Sequence, residues 1–245
     1  MQSDGQKILP FYLVVDVSAS MTGDRMTALN NVVPQLVDAL ARDPILSDKV
    51  RFALIDFSED ARVRLPLSDL LDPALVIPRL EERSMTSYVA ALKLLRTEIV
   101  ANVDLLKADD FEVHRPAVFL VSDGVPDHNE DWQPAFEELT SYDPATGDGF
   151  RMFPNIIPIG VGDADGAVMQ RLIHPATGKR AMKMYLMDHG FDPAKAITAV
   201  AEVLVASVIQ SASAPSGGST LRLPNDTDLP AGLTAYGPDD DLDLV

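Results

Sequence analysis

Cysteine is absent from the 245-residue chain, which excludes a disulfide framework, a thiolate-ligated zinc or iron–sulfur site, and a thiol nucleophile. Cations are scarce as well: 20 Lys and Arg against 37 Asp and Glu give a formal net charge of −17. Nucleic acid is therefore not an expected partner, because a phosphate-binding surface needs clustered cations to release counterions. No apolar run approaches the ~18 residues of a membrane span, so no membrane is expected either. Residues 1–7 are polar and lack the basic stretch followed by an apolar one that marks a signal peptide, which points to a cytoplasmic location. The four histidines (His114, His128, His174, His189) are scattered and show no His-x-x-x-His spacing for a metal.

What the chain does have is a core: 47% of its residues are hydrophobic and only 23% charged, enough apolar surface to offset the entropy of ordering. Its length suits one large domain, or one domain with a tail. Short apolar runs alternate with segments of helical period, the pattern of an α/β sheet with helices on its faces. Residues 8–15 are too continuously apolar for a one-sided strand and suit a central one. Met26, Leu29, Val32, Val33, Leu36, Val37 and Leu40 trace one face of a single expected helix. Residues 50–57 and 61–65 read as a hairpin, so the second is an antiparallel edge strand. Further helices are expected over 87–103, 131–139 and 167–173, and another opens at Asp192-Pro193, where a capping carboxylate precedes a first-turn proline. Strands are expected at 116–121, 155–161 and 183–187. Composition shifts near Ser211, and residues 214–245, with four Pro, four Gly and six Asp, read as an acidic, disordered tail after a domain of residues 1–213. The rival reading packs this stretch back through Leu221, Leu223 and Leu229.

The most specific motif is Asp16-Val17-Ser18-Ala19-Ser20, at the end of the first apolar strand. In an open parallel sheet that edge is where ligands bind. A carboxylate and two hydroxyls from one loop suit Mg²⁺ or Mn²⁺; taken alone they also suit simple capping of the following helix. Thr86, ahead of the 87–103 helix, and Asp123, at the end of the 116–121 strand, would reach the same edge if both strands run parallel to the first. Trp132, beside the Asp123 loop, is either an aromatic contact at the rim or a residue packed on the sheet. Asp127 and Asp131 could add carboxylates, although capping explains Asp131 equally well. Gly160-x-Gly162-Asp-Ala-Asp-Gly166 has the wrong spacing for a dinucleotide loop and reads as a turn.

Asp16, Ser18, Ser20, Thr86 and Asp123, in this order and spacing, resemble the metal-ion-dependent adhesion site (MIDAS) of the von Willebrand factor A (vWA) domain family. The likeness extends over about residues 8–211 and includes Ile157-Pro-Ile-Gly-Val-Gly162. Within the family the chain is most similar to the bacterial TerY-like group of tellurium-resistance operons, through Leu9-Pro-Phe-Tyr-Leu-Val-Val-Asp16, Asp48-Lys-Val-Arg51, Arg115-Pro-Ala-Val118 and Ser122-Asp-Gly-Val-Pro126. The resemblance implies a Rossmann-like vWA fold: a central, mostly parallel sheet with one antiparallel edge strand and helices on both faces. It implies Mg²⁺, or Mn²⁺ or Ca²⁺, held by Ser18, Ser20 and Thr86 directly and by Asp16 and Asp123 often through water. It implies a non-enzymatic protein-interaction module whose partner supplies an Asp or Glu carboxylate to the metal. It further implies an adaptor role in a tellurium-resistance or stress-response system, with an operon-encoded kinase and phosphatase as candidate partners.

Two alternatives accompany this reading. A phosphotransferase of the haloacid dehalogenase type also begins with an apolar strand ending in Asp, here Asp16, but has a second Asp where this chain has Ser18. The other is a vWA interaction domain whose metal site no longer functions, suggested by Ser84-Met85 where the family often has Gly-Gly before the Thr.

Overall fold

The apolar run near the start of the chain becomes β1 (Lys7–Asp16), buried at every position after Lys7. The computed structural model describes residues 6–123, 126, 130–213 and 221–242. β1 sits between β2 (Val50–Phe57) and β5 (Ala117–Ser122), both parallel to it. Including β3 (Ala61–Ser68), β6 (Asn155–Gly160), β7 (Met184–Met187) and β8 (Leu233–Tyr236), the sheet runs β3-β2-β1-β5-β6-β7-β8, and the two-residue β4 (Glu112–Val113) pairs with the beginning of β1. The five inner strands are parallel, and their largely apolar sequences follow from burial on both faces.

Side chains alternate across the sheet, so β1 feeds two cores. Leu9, Phe11, Leu13 and Val15 face α1 (Asp24–Asn30), α2 (Val32–Leu40) and α7 (Pro193–Ala212), with the short α3 (Pro44–Ser47) at the end of that layer. Tyr12 and Val14 face the layer of α4 (Tyr88–Ala108), α5 (Gln133–Thr140) and α6 (Gly166–Arg171). By length and composition α7 could cross a membrane (mean hydropathy 1.4), but 56% of it is buried inside the domain, where Ile197, Val200 and Leu204 pack against the sheet. Asp192 accepts from the Lys195 N–H ahead of Pro193, as the Asp-Pro start signal requires.

The single helix expected over residues 26–40 is two. α1 ends at Asn30 and α2 begins at Val32. Pro34 explains the break: it has no N–H for the carbonyl of residue 30, and its ring crowds that carbonyl.

The edges carry a second departure. β3 is the expected antiparallel edge strand, and it tolerates Pro66 because an edge leaves one row of backbone groups unpaired. The opposite edge also ends antiparallel, in β8, which pairs with β7 from Met184↔Tyr236 to Met187↔Leu233. The reading of residues 214–245 as a disordered tail is therefore corrected for residues 221–242. Leu233 and Tyr236 are buried, and Leu221, Leu223 and Leu229 lie against the core. Those apolar residues have no helical or strand period longer than four residues, so composition outweighed them in the sequence. Residues 214–220 and 243–245 lie outside the described residues.

Candidate functional site

The register places Val15 of β1 beside Val121 of β5, and Asp16 beside Phe57 of β2. The loops after β1 and β5 thus leave the same C-terminal edge of the sheet. After Asp16 the chain makes a 3₁₀ turn, Ala19–Met21, closed by the Met21 N–H donating to the Ser18 carbonyl at 2.9 Å. A cleft of ≈260 Å³ opens there, and Ser18, Ser20, Thr86 and Asp123 all line it. Four of the five expected residues therefore meet at one place.

The fifth, Asp16, lies behind Ser18 and is fully buried. Its Oδ1 accepts the Ser18 N–H at 2.8 Å and its Oδ2 accepts the Ser122 hydroxyl at 2.7 Å. The Tyr88 hydroxyl in turn donates to Ser122 Oγ at 3.1 Å. Burial pushes the Asp16 carboxyl up to about 6, against the opposing pull of the Ser18 and Ser122 hydrogen bonds, with Asp123 adding to the rise. Asp16 is thus the fixed support of the loop, and the cleft itself is lined by hydroxyls and Asp123.

The oxygen set fits a hard divalent cation. Ser18 Oγ and Ser20 Oγ stand 3.0 Å apart, which is also the separation of adjacent ligands in an octahedron with metal–oxygen bonds of about 2.1 Å. Among the described residues no three His, Asp or Glu side chains come together as a group that could hold a metal.

The Thr86 loop is held by residues that the sequence reading did not single out. The Ser87 N–H donates to the Ser58 carbonyl at 2.8 Å, the Met85 N–H to Ser58 Oγ at 3.1 Å, and the Arg83 N–H to the Val17 carbonyl at 2.7 Å. The Arg83 guanidinium reaches Asp56 Oδ1 at 2.9 Å and also bonds Asp60, while Arg64 takes Asp56 Oδ2 at 3.1 Å. Asp56 is fully buried at the end of β2. Burial raises its pKa and the three nearby arginines, Arg83 foremost, pull it back. A carboxylate inside an apolar strand is rarely buried without a partner, and this was the available signal in Phe52-Ala-Leu-Ile-Asp56-Phe57. Ser84 and Met85 need no glycine conformation: Asp110 is the only non-glycine with positive φ among the described residues.

Glu130 ties the region after β5 to the start of α4. Its carboxylate accepts the Tyr88 N–H at 2.7 Å, the Val89 N–H at 3.3 Å and the Ser87 hydroxyl. A carboxylate suits the positive end of a helix, and Ser87 itself accepts the Ala90 N–H at 3.1 Å. Trp132 is packed and not a rim contact: it is 3% exposed, edge-on to Tyr88 and Phe136. Asp131 makes no cap at α5, and Asp127 lies outside the described residues. The Gly160–Gly166 segment is a turn leading into α6, where Asp165 caps Ala167 and Val168.

Two residues join the cleft unannounced by any motif. Asp163 lines it, and so does Arg25, whose Nη1 donates to the Ser20 carbonyl at 2.9 Å. Gly162, at φ +66°, makes room for that guanidinium, since a Cβ there would stand 3.1 Å from Arg25 Nη1.

Residues 11–125, the stretch that carries all five motif residues, match the von Willebrand factor type A domain. No curated protein matches the chain. Among solved structures it is similar to proximal thread matrix protein 1 from the mussel byssus, with a TM-score of 0.55 and 14% identity over 94% of this chain and 49% of that one. A form of the same protein described as having a zinc-occupied MIDAS motif gives 0.55 and 17% over 84% of this chain and 49% of that one. The pilus adhesin SpaC from Lactobacillus rhamnosus GG gives 0.54 and 15% over 83% of this chain and 30% of that one. The chain thus spans half or less of the length of these proteins. These likenesses show the fold, which is that of a vWA domain.

Proposed function

We propose that this chain is a vWA module that holds a divalent cation between the loops after β1, before α4 and after β5, and uses it to bind a carboxylate of a partner protein. The observation that carries the reading is the convergence of Ser18, Ser20, Thr86 and Asp123 on one cleft, with Asp16 buried behind Ser18 as its support. Ser18, Ser20 and Thr86 would hold the ion, with Asp16 and Asp123 acting on it at closer or longer range. A cation held mostly by neutral oxygens retains charge to attract an anionic oxygen, and Mg²⁺ favours six ligands. Mg²⁺, Mn²⁺ and Ca²⁺ all accept such donors, and the zinc-occupied motif of the mussel protein is a precedent for a divalent ion on this fold.

No bond-making step is part of this reading. A phosphotransferase would have to present an Asp16 oxygen to its substrate, whereas both oxygens are engaged and the side chain is buried. Ser84-Met85 does not argue for a non-functional site, because the backbone there is ordinary and is held by Ser58. The finer placement, a cytoplasmic bacterial adaptor for tellurium resistance or stress response that works with an operon-encoded kinase and phosphatase, rests on the TerY-like segments alone. The exclusion of nucleic acid and membrane as partners rests on the net charge of −17 and the sequence pattern.

Calorimetric titration with Mg²⁺ and Mn²⁺ of the wild type and Asp16→Ala, with thermal melts of both, tests the metal. Saturable binding by the wild type and none by a folded Asp16→Ala is the expected result. Capture of a carboxylate-bearing partner that persists unchanged in EDTA and in Asp16→Ala would overturn the proposal. An intact-mass adduct at Asp16 after exposure to phosphate esters would replace it with the enzyme reading.

A further inference from the structure

The opposite edge of the sheet carries a feature that the metal site does not use. Where the chain enters β5, β6 and β7, a cleft of ≈900 Å³ opens between these strand starts and residues 221–227. Its walls hold Arg115, Lys179, Arg180 and Lys183, with Asp226 as the one acidic residue. Four of the chain's 20 cations thus gather in one concavity of a protein with a net charge of −17. Lys183 is matched by Asp226, with Nζ at 2.7 Å from both carboxylate oxygens. Arg115, Lys179 and Arg180 form no ion pair among the described residues, leaving three positive charges on the cleft.

Arg115 is positioned by packing. Its guanidinium lies 3.7 Å from the Phe153 ring centroid, a cation–π contact that fixes its plane and leaves its N–H fork open. Arg180 is close enough to repel it, and burial together with that repulsion lowers the Arg115 pKa. Both guanidinium groups line the cleft, so an anion bound there would face two positive charges. Asn155, only 8% exposed at the start of β6, also lines the cleft, and its side-chain amide makes no hydrogen bond among the described residues. Leu221, Leu223 and Met182 supply an apolar wall. Polar and cationic side chains thus make up most of the lining of a concavity large enough for a small ligand, with one apolar wall.

We propose that this cleft is a second binding site, for a small ligand bearing several phosphate groups, with Arg115 and Arg180 as the paired phosphate contacts, Lys179 as a further charge and Asn155 as a neutral donor. Phosphate is favoured over a single carboxylate because three uncompensated cations call for a multiply charged anion, and paired guanidinium forks match phosphate oxygens bidentately. The site is separate from the metal cleft and does not depend on it.

The test is calorimetric titration with inorganic tripolyphosphate in metal-free buffer, on the wild type, Arg115→Gln, Arg180→Gln and the double variant. Lys93→Gln, on the exposed face of α4, controls for net charge, and Asp16→Ala controls for the metal site. Amide spectra of the wild type follow the Asn155 side-chain resonances. The expected result is saturable binding that weakens about tenfold with each arginine, is unchanged in Lys93→Gln and Asp16→Ala, and shifts the Asn155 signals. Failure of the wild type to saturate overturns the proposal, as does an equal loss in Lys93→Gln or dependence on Asp16. A hexaglutamate peptide that binds as tightly as tripolyphosphate overturns the ligand class in favour of an acidic peptide.

Discussion

Arg83 Nη2 lies 2.9 Å from Asp56 Oδ1, so the loop that carries Thr86 is anchored to a fully buried carboxylate at the end of β2. The same arginine donates from Nη1 to the Asp60 carboxylate and from Nη2 to the Asp60 backbone carbonyl at 3.1 Å. Its backbone N–H meets Val17, one residue after Asp16. One residue, through its side chain and its backbone, therefore joins the loop to the end of β2, the turn after it and the loop after β1.

Removing that anchor leaves Asp56 with Arg64 as its one direct ion pair and Arg62 at longer range. Arg83→Met is expected to destabilise the fold by about 3 kcal/mol, the range for breaking a buried ion pair. Asp56→Asn in the same background should recover part of the loss, because a buried charge that has lost its first partner is gone. Urea unfolding of the wild type, each single variant and the double variant measures both effects, and additive losses would show that Arg83 and Asp56 are not coupled.

Glu130 makes a narrower prediction about the same loop. With its carboxylate gone, the first N–H groups of α4 lose their acceptor. Glu130→Ala should cost about 1–2 kcal/mol, the range for a helix cap near a dipole. Hydrogen exchange should quicken at Tyr88 and Val89 and leave the middle of α4 unchanged. Uniform quickening along the helix would mean that Glu130 acts on global stability and not on the cap.

The C-terminal segment supplies the third. Leu233 is 5% exposed and Tyr236 8% exposed, on the strand that closes the β7 edge. Leu233→Ala is expected to cost about 2–4 kcal/mol, and ending the chain after Ser213 should lower the melting temperature or solubility by exposing that edge. A truncated protein that melts like the full chain would restore the free-tail reading.

His174 gives a pH dependence whose sign can be worked out. Burial lowers its pKa, with the Arg115 charge acting in the same direction, while its Nδ1 sits 2.7 Å from the Pro154 carbonyl. An unfolded histidine takes up its proton near 6.5, whereas the folded one resists until lower pH. The stability it contributes is therefore full above about 6.5 and is lost as pH falls through the depressed folded value. Asp16 and Asp56, both raised, act in the opposite sense, so the wild type must be compared with His174→Gln. Between pH 7 and 5 the variant should lose less stability than the wild type, and parallel curves would show that His174 does not titrate differently on folding.

Much of this was legible in the chain because the signals are local. The apolar period of residues 8–15, the Asp192-Pro193 start and the hairpin after Phe57 each follow from a few neighbouring residues, and each appears where expected. The Pro34 break was readable too, since a proline inside a helical pattern ends it at the preceding turn. The five motif residues were legible as types and spacing; the parallel pairing of β1 with β5, with the bonds of the Thr86 loop to Ser58 and Val17, brings four of them to one cleft.

The sequence by itself determined the alternation of strands and helices, the acidic charge and the Asp-x-Ser-x-Ser loop, because these depend on residue identity and short-range period. Only the tertiary structure decided that Asp16 lies behind the cleft and not in it, that Arg83 reaches Asp56 across 27 residues, that Arg25 and Asp163 share the rim, and that β8 returns to close the sheet. Such contacts join segments far apart in the chain. They arise from register and burial, which place the groups, and from the cost of leaving a buried polar group unpaired, which selects the partner.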